Sequence, residues 1–159
     1  YKTARRAGGA SVEAAELWSS LTTDWVFRLP ASRMIQAHGA HTDRVWSYAF
    51  IWSSELLDGV LGSCHALEVP FVWGTIDDPV TAALVGAGDK AWELSGLMQE
   101  AWLAFARQGD PNGGTLPPWP AYEASEQATM ILGETCSVRD DPYRAQLVAW
   151  EGIGARLAG

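Results

Sequence analysis

Between Asp89 and Gln108 the apolar residues Leu94, Leu97, Met98, Ala101, Trp102 and Phe105 fall three or four apart. That spacing draws one stripe along a helix and predicts a helix over 89–108 with a single face committed to a core. Asp89 stands where a start cap belongs, and Gly109 with Pro111 just beyond marks the stop. The runs on either side have another character. Arg44 to Ile51 reads RVWSYAFI, dense in aromatic and β-branched residues, and Ala128 to Leu132 reads ATMIL. Both predict strands, and their near-continuous apolar sequence predicts a sheet covered on both faces. Strand, helix, strand points to an α/β layer architecture, a mostly parallel sheet flanked by helices. Two convincing strands are few for a sheet of ordinary size, so the elements read as the end of a larger fold.

The remaining punctuation supports more helices. Ala7 to Ala10 is a Gly-rich loop signal. Ser11 with acid close behind predicts a helix capped at Ser11 and ending near Ser20. Thr22-Thr23-Asp24 reads as a second cap cluster, and Val26, Phe27, Met34, Ile35 and Ala37 suit a helix after it, with Pro30 kinking it or starting a new turn. Leu61 to Gly74 reads as a loop, in which Pro70 argues against a central strand. Tyr143 to Trp150 predicts a last helix, with Pro142 near its first turn.

The chain has 159 residues, of which 48% are hydrophobic and 19% charged. That balance excludes disorder as the main state, and no apolar run approaches the ~20 residues of a membrane span. The net charge of −8 argues against a nucleic-acid partner, whose footprint is basic. The charge is uneven: residues 1–40 carry +2 and the rest −10. The acidic part reads as a solvated surface. Cys64 and Cys136 are too few for a disulfide framework and read as two free thiols. The chain starts at Tyr1 with no apolar leader segment behind it, which suggests processing or a piece of something longer.

Histidine is the first place to look for acid–base chemistry near neutral pH. His38 and His41 flank Gly39-Ala40 at a helix end, where the macrodipole favours them. No further His or Cys ligand lies near them in sequence, and no metal or cofactor is expected. His65 differs. It sits in a loop of small residues after the 44–51 strand, and open α/β sheets place their sites beyond the carboxyl ends of strands. By position alone, a structural loop histidine and a functional one are about equally supported. Ser63 and Cys64 adjoin it, but sequence neighbours seldom face each other as nucleophile and base. The chain holds no G-x-S-x-G elbow, phosphate loop or H-E-x-x-H motif.

The string LGSCHALEVPFVWG, residues 61–74, resembles the catalytic-histidine loop of the type-B carboxylesterases, the family that includes the cholinesterases. Other motifs follow in order: Thr23-Asp24-x-x-Phe27-x-x-Pro30, Val45-x-x-Tyr48-x-Phe50, the helix end from Gln99 and Trp102 to Pro111-Asn112, Trp119-Pro120-x-Tyr122, and Ala128-Thr129-Met130. The resemblance covers about residues 20–150. It implies an α/β-hydrolase fold, of which residues 1–159 would be a C-terminal fragment of one catalytic domain. It also implies a Ser-Glu-His triad in which only the histidine, His65, lies in this chain and acts as general base. Glu68, three residues on, matches an acid common in the family loop. It is expected behind His65 and not as the triad acid, with a purely structural role equally supported. Ala66 stands where the family usually has glycine, a departure expected to be mild.

Two classes of function follow from the resemblance. One is a serine ester hydrolase acting on a small-molecule ester, with the upstream part of the same domain as its partner. The other is a catalytically inactive relative used for adhesion or interaction, or an inactive truncated product. Retention of His65 in its loop favours the hydrolase. The 159 residues by themselves are expected to be inactive.

Overall fold

The computed structural model describes residues 1–86 and 88–151. It divides into two compact units: Tyr1–Thr42 with the segment from Asp141 onward, and Asp43–Asp140.

The first unit is helical. Helix α1 spans Lys2–Ala7 and α2 spans Ala14–Thr23. Ser11 does not cap α2. Its hydroxyl accepts from the Glu13 amide two residues on, at 3.2 Å, so the helix starts later than expected with Glu13 as N-cap. The Thr22–Asp24 cluster is not a second start either. The chain continues through it into a π turn, Asp24–Arg28, and then α3, Leu29–Gly39. Pro30 falls in the first turn of α3, where its missing N–H meets a ladder already opened by the π turn. Asp24 has another task. It is wholly buried and takes hydrogen bonds from the Tyr1 hydroxyl, the Arg28 guanidinium and, at 3.4 Å, the Trp150 indole. Burial lowers the pKa of Arg28, whose guanidinium also lies 3.9 Å over the Tyr143 ring. Tyr143 caps the short last helix α7, Arg144–Val148.

The second unit holds the sheet and the core. Strand β1 is Ser47–Phe50, β2 is Ala128–Leu132 and β3 is Ser137–Asp140, in the order β1-β2-β3. β1 and β2 run parallel, with Tyr48 opposite Met130 and Phe50 opposite Leu132. β3 runs antiparallel to β2, so the described sheet is mixed. All five residues of β2 are buried, as a central strand requires. β1 is only half-buried, because among the described strands it is an edge.

Three helices follow β1: α4, Val69–Trp73; α5, Ala82–Val85; and α6, Asp89–Gln108. The 69–73 segment is therefore a helix and not loop. Pro70 suits its first turn, and Gly74, at φ 66°, ends it in the left-handed conformation. In α6 the buried stripe is Ala91, Leu94, Ser95, Met98 and Ala101. Gly109 closes α6 at φ 69°, and a Cβ there would lie 2.6 Å from Arg44 Nη2. Arg44 uses that nitrogen to donate to the Gln108 carbonyl, covering an end-of-helix acceptor. Asn112 clamps the next loop: its Oδ1 accepts from the Trp119 amide at 2.8 Å, and its Nδ2 donates to the Trp119 carbonyl at 2.9 Å. The core gathers Leu67, Phe71, Leu94, Met98, Met130 and Leu132. Full burial of a side chain such as Leu67 or Phe71 stabilises by about 1.5–3 kcal/mol. Among the described residues no helix is long and apolar enough to cross a membrane.

Candidate active site

His65 sits where β1 hands over to α4. The chain leaves β1 at Phe50, makes an excursion closed by a bridge between Ser54 and Gly62, and returns to the sheet end. There Ser63 Oγ donates to the Phe50 carbonyl at 3.0 Å. Ser63 thus anchors the loop to the strand end. Cys64 packs against the core, and both cysteines are free thiols.

A series of short turns then runs into α4. The Leu67 amide bonds the Cys64 carbonyl at 3.2 Å, Val69 bonds Ala66 at 3.2 Å, and Phe71 bonds Glu68 at 3.1 Å. Leu67 and Phe71 are driven fully into the core, while His65 between the anchors stays exposed. Phe71 meets Phe50 and Trp52 with ring centroids 5.1 and 5.4 Å apart. Trp73, beyond it, is exposed.

Ala66 stands in a backbone conformation that favours glycine. Its φ is +65°, a left-handed conformation that costs an L-residue roughly 1–2 kcal/mol and a glycine almost nothing. The loop keeps its path because Leu67 and Ser63 fix it on both sides.

Glu68 is the N-cap residue of α4 and is half-buried. Its charge acts on Tyr48 of β1, whose hydroxyl is pushed above its ordinary pKa first by burial and then by the Glu68 carboxylate. Tyr48 also meets the Trp102 ring edge-on at 5.1 Å. No motif in the sequence joins Tyr48 to Glu68. The alternation along β1 carried the signal: Tyr48 and Phe50 share a face, and Phe50 touches the helix that Glu68 begins.

An open cavity of about 410 Å³ lies at the carboxyl ends of β1 and β2, lined by Ile51, Trp52, Ile131, Glu134, Ser137 and Arg139 among others. It occupies the region where α/β sheets bind ligands, but His65 does not line it. Among the described residues no group of three His, Cys, Asp or Glu side chains gathers to hold a metal. His38 lies in the last turn of α3, as expected.

Residues 3–150, which include this loop, match the model of the Carboxylesterase family. The chain belongs to the carboxylesterase family. It is similar to a para-nitrobenzyl esterase of Bacillus subtilis (strain 168), 34% identical over 122 residues, covering 77% of this chain and 24% of that protein. It is also similar to a phenmedipham hydrolase of Pseudarthrobacter oxydans, 34% identical over 92 residues and covering 57% of this chain and 19% of that protein. Among solved structures, a carboxylesterase of Geobacillus stearothermophilus superposes with a TM-score of 0.75 at 32% identity, covering 95% of this chain and 32% of that one. The architecture is that of an α/β-hydrolase carboxylesterase in part, since the chain spans about a fifth to a third of the length of these relatives.

Proposed function

We propose that the chain is the C-terminal, histidine-bearing part of a serine carboxylesterase, with residues 1–159 belonging to one longer α/β-hydrolase catalytic domain. One observation carries the reading. Within the stretch matched to the family, His65 is held exposed on a loop pinned at the carboxyl end of a strand.

In this reading His65 takes the proton of an upstream serine hydroxyl as the serine oxygen bonds to the ester carbonyl carbon. The carbonyl oxygen carries the negative charge, stabilised by upstream backbone N–H groups. The carbon–alkoxy bond then breaks, and His65 gives the proton to the departing alcohol. Water attacks the acyl-serine next. His65 accepts its proton and returns it to the serine oxygen, releasing the carboxylic acid. An upstream glutamate holds the second ring nitrogen. Glu68 acts behind this arrangement, through the loop it terminates.

The test is His65→Ala in the full-length protein, assayed on a p-nitrophenyl ester and with a serine-directed fluorophosphonate probe. Turnover is expected to fall at least about 10³-fold, with probe labelling slowed in parallel. A variant that keeps its activity sinks the assignment. A wild-type protein that neither turns over ester nor takes the probe belongs instead with inactive members of its family.

A further inference from the structure

Ser95 lies in the middle of α6 and is wholly buried. A serine inside a helix ordinarily turns its hydroxyl back to a carbonyl of its own preceding turn. Ser95 instead donates across to the Phe71 carbonyl of α4 at 2.8 Å. Gln99, one turn further along α6, donates its Nε2 to Ser95 Oγ at 3.0 Å. That bond occupies the oxygen's acceptor side and leaves its hydrogen for Phe71. The Gln99 amide in turn sits against Gly74, where a Cβ would come within 3.0 Å of Nε2.

This polar pair sits in an otherwise apolar interface, and apolar packing alone would bury α4 just as well. What packing does not supply is direction. A five-residue helix has no stability of its own, and its last carbonyls lack partners inside it. The Ser95 hydrogen bond supplies one and fixes how far α4 slides and turns on α6. The turn bonds Cys64–Leu67, Ala66–Val69 and Glu68–Phe71 then carry that position back through the loop. His65 is therefore suspended between two hydroxyls, Ser63 on Phe50 at the sheet and Ser95 on Phe71 at the helix.

We propose that Ser95, oriented by Gln99, is a positioning residue for the His65 imidazole. This rests on the reading of His65 as general base. A base displaced by a fraction of an ångström loses rate without losing substrate affinity.

The experiment compares Ser95→Ala, Ser95→Thr, Gln99→Ala, His65→Ala and Ala101→Gly in the full-length protein. Ala101 belongs to the same buried stripe of α6 but not to the bond with α4, so its glycine variant reports general loosening of the helix. Ser95→Ala is expected to lower kcat about tenfold or more with KM changed less than about twofold. Amide exchange at Val69, Phe71 and Val72 should speed up. Ser95→Thr, which keeps the hydroxyl, should restore most of kcat. If the added methyl prevents folding, Gln99→Ala carries the test with a smaller fall in kcat at constant KM. Ala101→Gly should lower the melting temperature and leave kcat alone. Wild-type kcat in Ser95→Ala beside an inactive His65→Ala overturns this inference alone. A kcat loss that Ala101→Gly reproduces at equal melting temperature also overturns it. Full activity in His65→Ala overturns the assignment of the base and this inference with it.

Discussion

Ser63, which precedes the core-packed Cys64 and lies two residues before His65, donates its hydroxyl to the Phe50 carbonyl across 3.0 Å. A side chain thereby closes the hydrogen-bonding of the strand end and anchors the candidate base to the sheet. Ser63→Ala removes one bond at a partly solvated site, which is worth about 1 ± 0.5 kcal/mol. The unfolding free energy should fall by that amount, read as a lower denaturation midpoint at unchanged slope, and ester turnover of the full-length protein should drop with it. An unchanged midpoint and unchanged turnover would show that the anchor is idle.

Ala66→Gly should be neutral to stabilising, by roughly 0.5 kcal/mol. The left-handed φ of +65° costs alanine roughly 1–2 kcal/mol, and glycine forfeits about 0.5–1 kcal/mol of that through its freer unfolded chain. Ala66→Val should go the other way by more than about 1 kcal/mol, because a β-branched side chain fits positive φ worst. Urea melts of the three proteins rank them; Gly below Ala would contradict the strain.

Tyr48 links the loop to stability at high pH. Burial, then the Glu68 charge, raise its pKa from the ordinary 10.0, so the folded state holds the phenolic proton more tightly than the unfolded one. This stabilisation is fully present below the unfolded value and is lost as pH rises through the folded one. Glu68→Gln should bring the Tyr48 midpoint down while leaving it above the ordinary value, since burial persists. Phenolate absorbance, with Tyr48→Phe to assign the signal, measures it. A midpoint that ignores Glu68→Gln would separate the two residues.

The 159 residues expressed by themselves should show no ester turnover and should self-associate. β1 is an edge among the described strands, and Trp73, Val60, Leu57, Trp18 and Met34 are all exposed. Unpaired strand edges and apolar side chains favour contact with other copies. Light scattering against concentration, beside a p-nitrophenyl ester assay, gives both readouts. A monodisperse, active chain would overturn the expectation.

The bounds of 89–108 and 128–132 were legible, because an apolar stripe and a fully buried strand each impose a pattern, although Phe105 of the expected stripe is exposed and Ala91 and Ser95, outside it, are buried. β3 was not. Ser137–Asp140 is polar and short, and it is a strand because β2 offers a free edge, which no local pattern records. The helix at 69–73 was hidden for a related reason: its stability comes from docking on α6. At the candidate site the histidine loop and Glu68 were readable from their motif. The hydroxyls that hold the loop were not, since Ser95 and Phe71 lie 24 residues apart and meet only after folding. The left-handed turn at Ala66 had one trace in the sequence, the glycine that the family usually carries there, since alanine itself does not mark a positive φ.

The π turn at Asp24–Arg28 has a consequence for anyone reading or engineering the first helical stretch. A π turn accommodates one residue more than an α turn, and each residue advances a helix by about 100°. The faces of α2 and α3 are therefore out of phase by one residue, and a single helical wheel drawn from Ala14 to Gly39 mislabels one half. Deleting one residue from 24–28 would bring the two wheels into register. The same deletion would remove the local geometry that seats Asp24 against Arg28, so an apparent repair of the helix would dismantle the charge cluster it was built around.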